Sequence, residues 1–263
     1  MVIHKLPESA NKVIHEYTNL PLGGKKVVTP YYINLKSQRA GLRVLVGKGD
    51  PGEIAREVNV VAQLKSIDLN QLSEYEIRKL MQDSHIGIDC SGFIVHIVNF
   101  WLRNQGGKPL INYIVFRDQN ILSRLKRRFR PVEQLGANIL TNDANCNRID
   151  SINDVKPGDF IRSKGLRKNS HHIILVSEVT IEDNIVKEIE YVHSIKGYNE
   201  ENGVRFGKIL VNDHTKKLHE QLWTEVQNSR NWTYEGYTSD LEDNGVRRLK
   251  RIKLEFETTN YEQ

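Results

Sequence analysis

The sequence predicts an α+β fold in which one buried helix packs against an antiparallel β-sheet. The helix is indicated by residues 90–103, where nearly every side chain is apolar, as in helices buried on most sides. The sheet is indicated by two strand-like segments, one opening at His171-His172 and one closing at His193-Ser194. Between them lies Asp183-Asn184, a pair that tolerates the positive φ angles of tight hairpin turns.

The other elements are predicted from periodicity, capping residues and turn composition. Helices are predicted over 7–17, 53–65, 73–83 and 217–227, and extended segments over 26–35, 42–46, 204–212 and 246–256. A chain of 263 residues is long enough for one sizeable core, so we predict a single catalytic domain over 1–263. An N-terminal extension (about 1–25) and a basic insertion (about 104–150) would belong to it.

Two stretches of this chain are rich in positive charge. Residues 123–131, within the predicted insertion, form the most basic stretch, and they predict either a solvated helix face or an anion-binding surface. Residues 247–253 alternate loosely between charged and apolar side chains, as in an edge strand that resists aggregation.

Cys90 stands at the predicted start of the buried helix. Unpaired backbone N–H groups and the positive end of the helix dipole meet there, and both favour the thiolate, which is the nucleophilic form. The alternative is a small buried cysteine that only fills space in the core. The second cysteine, Cys146, falls in a polar Asn-rich loop without another Cys or His nearby, so no disulfide framework is predicted.

Strand parity relates the histidines to one another. In an antiparallel hairpin, directly opposed residues have numbers with a constant sum, and they share a face. A two-residue turn at Asp183-Asn184 places position 174 opposite His193, so that His172 and His193 become diagonal neighbours on one face. His171 then points to the other face. A one- or three-residue turn would exchange His171 and His172, and the sequence leaves that alternative open.

Four sequence blocks follow one another along the chain. They are Asp89-Cys90-Ser91-Gly92-Phe93, Pro157-Gly158-Asp159-Phe160, His172-Ile173-Ile174-Leu175-Val176 and Tyr191-Val192-His193. In this order they resemble the blocks of the NlpC/P60 cysteine peptidases, over roughly residues 86–195. The resemblance implies a papain-like fold, with the helix-borne Cys packed against the antiparallel sheet. It also implies that Cys90 is the nucleophile, His172 the base and His193 the residue that orients the base.

The resemblance further implies hydrolysis of an amide bond through a thioester acyl-enzyme, without a cofactor and with cell-wall muropeptides as substrates. The backbone N–H of Cys90 is a candidate donor to the oxyanion, and Tyr31 or Tyr32 a second one by analogy with the family. Asp89 and Ser91, which flank the nucleophile, are expected to support it.

Three features depart from the family pattern. The Tyr-x-x-Gly-Gly stretch that usually precedes the nucleophile is represented only by Pro30-Tyr31-Tyr32-Ile33-Asn34, further upstream and without the glycines. Ile174 stands where the family commonly has a small residue, and His172 and His193 are further apart than in compact members. These differences bear on the substrate more than on the nucleophile.

Other functions fit the same residues. One is acyl transfer or protein deamidation on the same fold, and another is a non-catalytic binding module. A zinc site at the histidines, with Asp159 or Cys90, is disfavoured because only His171 and His172 form a tight ligand pair.

Composition and charge restrict the partners and the location of this chain. The net charge of +5 suits an anionic partner such as a cell-wall polymer, whereas no motif supports nucleic-acid binding. No apolar run approaches the roughly 18 residues of a membrane span. No secretory signal is visible, which predicts a cytoplasmic location or export by a non-standard route. The sequence leaves the oligomeric state open.

Overall fold

The computed structural model describes residues 1–34, 42–118, 120–164 and 171–261. The α-helices are α1 (Glu8–Thr18), α2 (Pro51–Leu64), α3 (Glu74–Asp83), α4 (Cys90–Asn104), α5 (Ile121–Phe129), α6 (Ala137–Thr141) and α7 (Trp232–Thr238). The strands are β1 (Val2–Lys5), β2 (Leu20–Leu22), β3 (Lys25–Val27), β4 (Cys146–Ile149), β5 (Phe160–Lys164), β6 (His171–Glu182), β7 (Ile185–Ile195), β8 (Gly203–Leu210), β9 (Leu222–Trp223), β10 (Gly245–Leu249) and β11 (Glu257–Asn260). No helix in these described ranges is long and apolar enough to cross a membrane.

One antiparallel sheet organises the fold. Within the described residues its strand order is β4-β10-β5-β6-β7-β8-β9, and β1 pairs with β6 and with β11. Strand β6 is long enough to pair with two neighbours along one edge, β5 near its start and β1 near its end. Strands β2 and β3 form a separate hairpin. The predicted α+β class with an antiparallel sheet is therefore confirmed.

Both faces of the sheet are covered, because successive side chains along a strand point to opposite sides. Ile173 and Leu175 of β6 belong to the core cluster that contains Phe93 and Trp101 of α4. Ile174 and Val176 belong to a second cluster on the other face, which includes Trp223 and Tyr237. A helix as apolar as α4 is stable in this position because it is buried along most of its circumference.

The Pro157-Gly158-Asp159 turn sets how closely α4 approaches the sheet. Gly158 has φ +93°, and a Cβ atom there would lie 2.9 Å from the Trp101 ring, so only glycine fits both the backbone and the contact. The Gly158 N–H donates to Val176 O at 3.0 Å, and the Val176 N–H donates to Asp159 O at 2.9 Å. This turn therefore joins the start of β5 to the middle of β6 directly beneath the helix.

Most of the predicted elements are present, with shifts of a few residues at their ends. The helices at 7–17, 53–65, 73–83 and 90–103 and the strand at 204–212 are confirmed as α1, α2, α3, α4 and β8. The predicted segment 26–35 is extended only in β3 before the chain becomes irregular, and its last residue, Leu35, lies outside the described residues.

Four predictions are wrong. Residues 43–46 form a 3-10 turn instead of an extended segment, and 217–227 form a 3-10 turn and the short strand β9 instead of a helix. The segment 246–256 does not form one edge strand, because β10 lies between β4 and β5 and its Arg247 is buried beside Asp143. Cys146 is buried at the start of β4, where its thiol donates to Leu140 O, and it is not in a polar loop.

The N-terminal extension and the basic insertion both contribute to the body of the protein. Within the first, β1 joins the sheet and α1 packs against α4. Within the second, β4 pairs with β10, and Leu110 and Val132 enter the core cluster around α4.

Candidate active site

The first turn of α4 fixes the position of Cys90. Asp89 is the N-cap, and its carboxylate accepts a hydrogen bond of 2.6 Å from the Gly92 N–H, which satisfies one of the unpaired donors of the first turn. The buried Lys48 donates to Asp89 Oδ1 at 2.9 Å and to Ser91 Oγ at 2.6 Å. Asp89 and Ser91 thus hold the helix start from both sides of the cysteine.

The thiol of Cys90 lies against the start of β6. Its sulfur is 4.0 Å from the carbonyl oxygen of His171, and the Ile173 N–H donates to it. These two groups belong to the two peptide units that flank His172. The paired register of β6 with β7 runs from the turn only to Leu175–Val192, so Cys90 approaches β6 beyond the end of that pairing.

Burial dominates the chemistry of the free thiol. Cys90 is only 5% exposed, and burial, with a smaller contribution from the Asp89 charge, raises its pKa to about 12. Lys48 and the nearby backbone N–H groups lower the pKa of Cys90, but by less. The expectation that the helix start alone would favour a thiolate is therefore wrong, because desolvation outweighs the helix terminus.

The hairpin brings together the two histidines that strand parity selects. Asp183 and Asn184 form the turn with φ of +51° and +61°, and Glu182 pairs with Ile185. The register shifts once near Thr180 and once near Val176, and the two shifts cancel. As a result His172 Nε2 lies 2.8 Å from His193 Nδ1.

The next contact along this line is with Glu225, a residue that the sequence analysis did not select. His193 Nε2 lies 3.1 Å from Glu225 Oε1, and both side chains are buried, with at most 1% exposed. Arg205 Nε is 2.5 Å from the same oxygen. The Tyr191 hydroxyl donates to Oε2 at 2.8 Å and the Thr233 hydroxyl at 2.6 Å. We refer to His172, His193 and Glu225 as the relay.

These contacts couple the proton positions of the three relay residues. Burial favours the neutral acid, yet His193, Thr233 and Arg205 outweigh it and hold the pKa of Glu225 below its ordinary value. An ionised carboxylate only accepts hydrogen bonds, so His193 must donate from Nε2. When His193 is neutral it accepts at Nδ1, His172 donates from Nε2 and the lone pair of His172 lies on Nδ1. When His193 is protonated it donates from Nδ1 instead, and the lone pair of His172 lies on Nε2.

His172 is held as a neutral base. Burial, and then the neighbouring His193, lower the pKa of His172 well below its ordinary value. Its ring nitrogen Nδ1 is not used in the contact with His193. A neutral imidazole can accept a proton from a thiol, which a protonated imidazole cannot do.

His171 belongs to a different set of contacts, on the sheet face that carries Ile173. Its Nδ1 lies 3.5 Å from Arg162 Nη2, and Arg162 forms an ion pair of 2.6 Å with Asp243. The structure therefore separates the adjacent histidines as the two-residue turn predicted, with His172 in the relay. His172 shares the sheet face of Ile174, whereas Cys90 packs with Ile173 on the face of α4, and the contacts of the Cys90 sulfur given above are with the backbone on either side of His172.

The two candidate tyrosines have different surroundings. Burial, and then the charges of Cys90 and Asp89, raise the pKa of Tyr31, so its hydroxyl remains a neutral donor close to the nucleophile. Tyr31 also forms a backbone bridge with Ile88. Tyr32 instead stacks on His85, with 5.5 Å between the ring centres. Of the pair, Tyr31 is the one placed near Cys90.

Arg205 and Tyr198 complete the wall behind Glu225. The Arg205 guanidinium lies 3.5 Å from the centre of the Tyr198 ring, within the range of a cation–π contact. The Tyr198 hydroxyl donates to Glu225 O at 3.0 Å. Tyr198 has φ +70°, in the left-handed region that side-chain-bearing residues seldom adopt.

Two residues of this site were missed for identifiable reasons. Glu225 lay in the segment predicted as the helix 217–227, where a glutamate is an ordinary surface residue. Lys48 lies in the Gly-rich stretch 47–52, whose local composition indicates only a turn. Their burial arises from contacts with residues distant in sequence, which a local pattern does not show. In the described part of the chain, no group of three or more His, Cys, Asp or Glu side chains is arranged to hold a metal ion.

Comparisons with models of known protein families, with curated proteins and with solved structures found no match to this chain. The geometry of the site and the resemblance of its sequence blocks are therefore the grounds for a functional proposal.

Proposed function

We propose that this chain is a papain-like cysteine hydrolase of the NlpC/P60 type, which cleaves amide bonds in cell-wall peptides. The observation that carries the proposal is the position of Cys90 at a helix start, against both peptide units that flank His172, with His193 and Glu225 continuing from His172 in hydrogen-bonding sequence. The proposal requires the His172 ring to reach the Cys90 sulfur when substrate is bound, because in the free protein that sulfur contacts the backbone beside the ring.

In the first half of the reaction the thiol attacks the carbonyl carbon of the scissile amide. As the C–S bond forms, the thiol proton passes to Nδ1 of His172. The free thiol and the free imidazole are both neutral, so proton transfer accompanies attack. The carbonyl oxygen becomes an oxyanion, for which the Cys90 N–H and the Tyr31 hydroxyl are the candidate donors.

The second half releases both products. The C–N bond breaks as His172 returns its proton to the leaving amine, which leaves a thioester on Cys90. Water then attacks the thioester and gives its proton to His172. The C–S bond breaks, the acid product leaves and the thiol recovers its proton. Glu225 stabilises the positive charge that resides on the histidines during each step.

Two features favour cell-wall peptides as the substrate class. The resemblance to NlpC/P60 peptidases points to muropeptides, and a net charge of +5 favours approach to an anionic wall polymer.

The proposal is tested by incubating the purified protein with peptidoglycan fragments and analysing the products by mass spectrometry. We expect new fragments that differ by one hydrolysed amide bond. Cys90→Ala and His172→Ala should each abolish them, because the members of such a unit depend on one another. Cys146→Ala and His171→Ala are matched controls, each with the same residue type changed outside the relay, and should retain activity. Fragments that persist in Cys90→Ala would refute the assignment of the nucleophile.

A further inference from the structure

Helix α5 exposes its apolar side chains to solvent. None of its nine residues is buried. Ile121, Leu122 and Phe129 are 72–75% exposed, and Leu125 is 45% exposed. At about 100° per residue these four side chains occupy one arc of about 100° on the helix. The helix therefore presents a continuous apolar face, which we call the outer face.

The opposite side of α5 attaches it to the domain through polar contacts. Ser123 donates to Asp118, and the Arg127 guanidinium lies 4.6 Å from the centre of the Phe116 ring. Arg130 forms an ion pair of 3.1 Å with Glu133. Helices on soluble proteins normally bury the apolar side and expose the polar one, and α5 has the reverse orientation. The polar anchoring fixes the outer face away from the core.

Positive charge borders the outer face. Arg124 and Arg128 follow one edge and Lys126 follows the other, and all three side chains are exposed. An apolar strip between cations matches the interfacial helices that lie in the plane of a membrane, with apolar side chains among the acyl chains and cations at the anionic headgroups.

We propose that α5 binds the surface of an anionic lipid bilayer, with Ile121, Leu122, Leu125 and Phe129 inserted between the headgroups. A second copy of the chain is a poorer occupant, because it would bring two sets of cations together. One nine-residue helix also offers far less than the roughly 20–30 residues a side of a stable protein interface. A partner protein that enclosed α5 in a groove would also have to contact the polar side of the helix, which is already attached to the domain. A flat surface such as a bilayer has to contact only the outer face.

The test is co-sedimentation of the full chain with vesicles. One set contains equal parts of phosphatidylglycerol and phosphatidylcholine, and the other contains phosphatidylcholine alone. We expect binding to the anionic vesicles, weakened by salt. Leu125→Ser and Phe129→Ser should each reduce the partition coefficient by roughly tenfold, since each removes one inserted apolar side chain. Leu64→Ser, which changes an 80% exposed leucine at the end of α2, is the matched control and should bind like the wild type.

A combined Arg124→Gln and Arg128→Gln variant should lose the preference for anionic vesicles. Three results would overturn the proposal: no binding to anionic vesicles, binding that Phe129→Ser leaves unchanged, or a concentration-dependent dimer that Phe129→Ser dissociates. Because sedimentation does not depend on catalysis, the outcome is separate from that of the proposed hydrolase.

Discussion

Replacing Glu225 with glutamine removes one negative charge from the relay while keeping its shape. The orientation of the new amide is determined by its neighbours. Arg205 can only donate hydrogen bonds, so the amide oxygen must occupy the position of Oε1, beside Arg205 and His193. The amide nitrogen then faces Tyr191 and Thr233, whose hydroxyls can accept. With the amide oxygen accepting from His193 Nε2, we expect Glu225→Gln to keep the lone pair of His172 on Nδ1 when His193 is neutral.

The loss of charge should still slow the reaction. The two hydrogen bonds of the relay measure 2.8 and 3.1 Å. They place the Glu225 carboxylate roughly 8 Å from an imidazolium at His172, and at an effective dielectric constant of about 20 their attraction is about 2 kcal/mol. Without it, kcat/KM should fall about 30-fold. A weaker hydrogen bond to His193 and the loss of the ion pair with Arg205 should also cost about 1–2 kcal/mol of unfolding free energy.

Two measurements examine this expectation separately. Steady-state kinetics on a muropeptide substrate give the change in kcat/KM, and ¹⁵N chemical shifts of the imidazoles report the tautomer of His172 without reference to activity. A variant with unchanged kcat/KM would refute the electrostatic role of Glu225. The proton could instead be found on Nδ1 of the neutral His172 ring, with kcat/KM reduced by about 10⁴-fold as for a wrong tautomer. That result would refute the conclusion that Arg205 orients the new amide.

Three further outcomes follow from the site. In a Cys146→Ala background, alkylation of Cys90 by iodoacetamide should keep accelerating from about pH 7 to 10, since burial raises its pKa to about 12; a plateau near 8.5, the pKa of a free thiol, would contradict this. Folding lowers the pKa of His172, so below about pH 6.5 the unfolded chain binds more protons than the folded chain. The unfolding free energy from urea denaturation should therefore decrease as pH falls, and it should decrease less steeply in His172→Asn. Lys48→Met should reduce the unfolding free energy by about 3–5 kcal/mol, because it leaves the buried Asp89 carboxylate without its cation. Adding Asp89→Asn should restore part of that loss. If the losses of the two single variants simply add in the double variant, Lys48 and Asp89 are not energetically coupled.

The part of the site that could be predicted depends on regular geometry. Turn composition and strand alternation were sufficient to place His172 with His193 and His171 elsewhere. That result also required a detail that the sequence does not show. Either register shift between β6 and β7 alone would have put His172 and His193 on opposite faces, and they share a face because the two shifts cancel. The capped helix start at Cys90 was likewise predictable, because Asp89 is a strong N-cap residue.

The remainder depends on contacts between distant segments. Glu225 reaches His193 only because the chain after β8 returns as the short strand β9, whose pairing with β8 overrides the helical pattern of 217–227. The pKa of the Cys90 thiol depends on how completely the surrounding segments bury it. The sequence motif indicates that the helix start lowers this pKa, but it does not show the burial that raises it. The edge-strand prediction for 247–253 failed similarly, because β4 covers β10.

Tyr198 connects backbone conformation to the use of the site. A residue with a side chain in the left-handed region costs on the order of 1–3 kcal/mol, and glycine or asparagine would adopt φ +70° more readily. Neither would provide the ring on which Arg205 rests or the hydroxyl that holds the Glu225 backbone. Tyr198 is also fully buried, and removing a buried aromatic side chain costs about 3–5 kcal/mol, which outweighs the relief of backbone strain. An engineering screen for melting temperature should therefore retain tyrosine here and preserve the support of the carboxylate without measuring it.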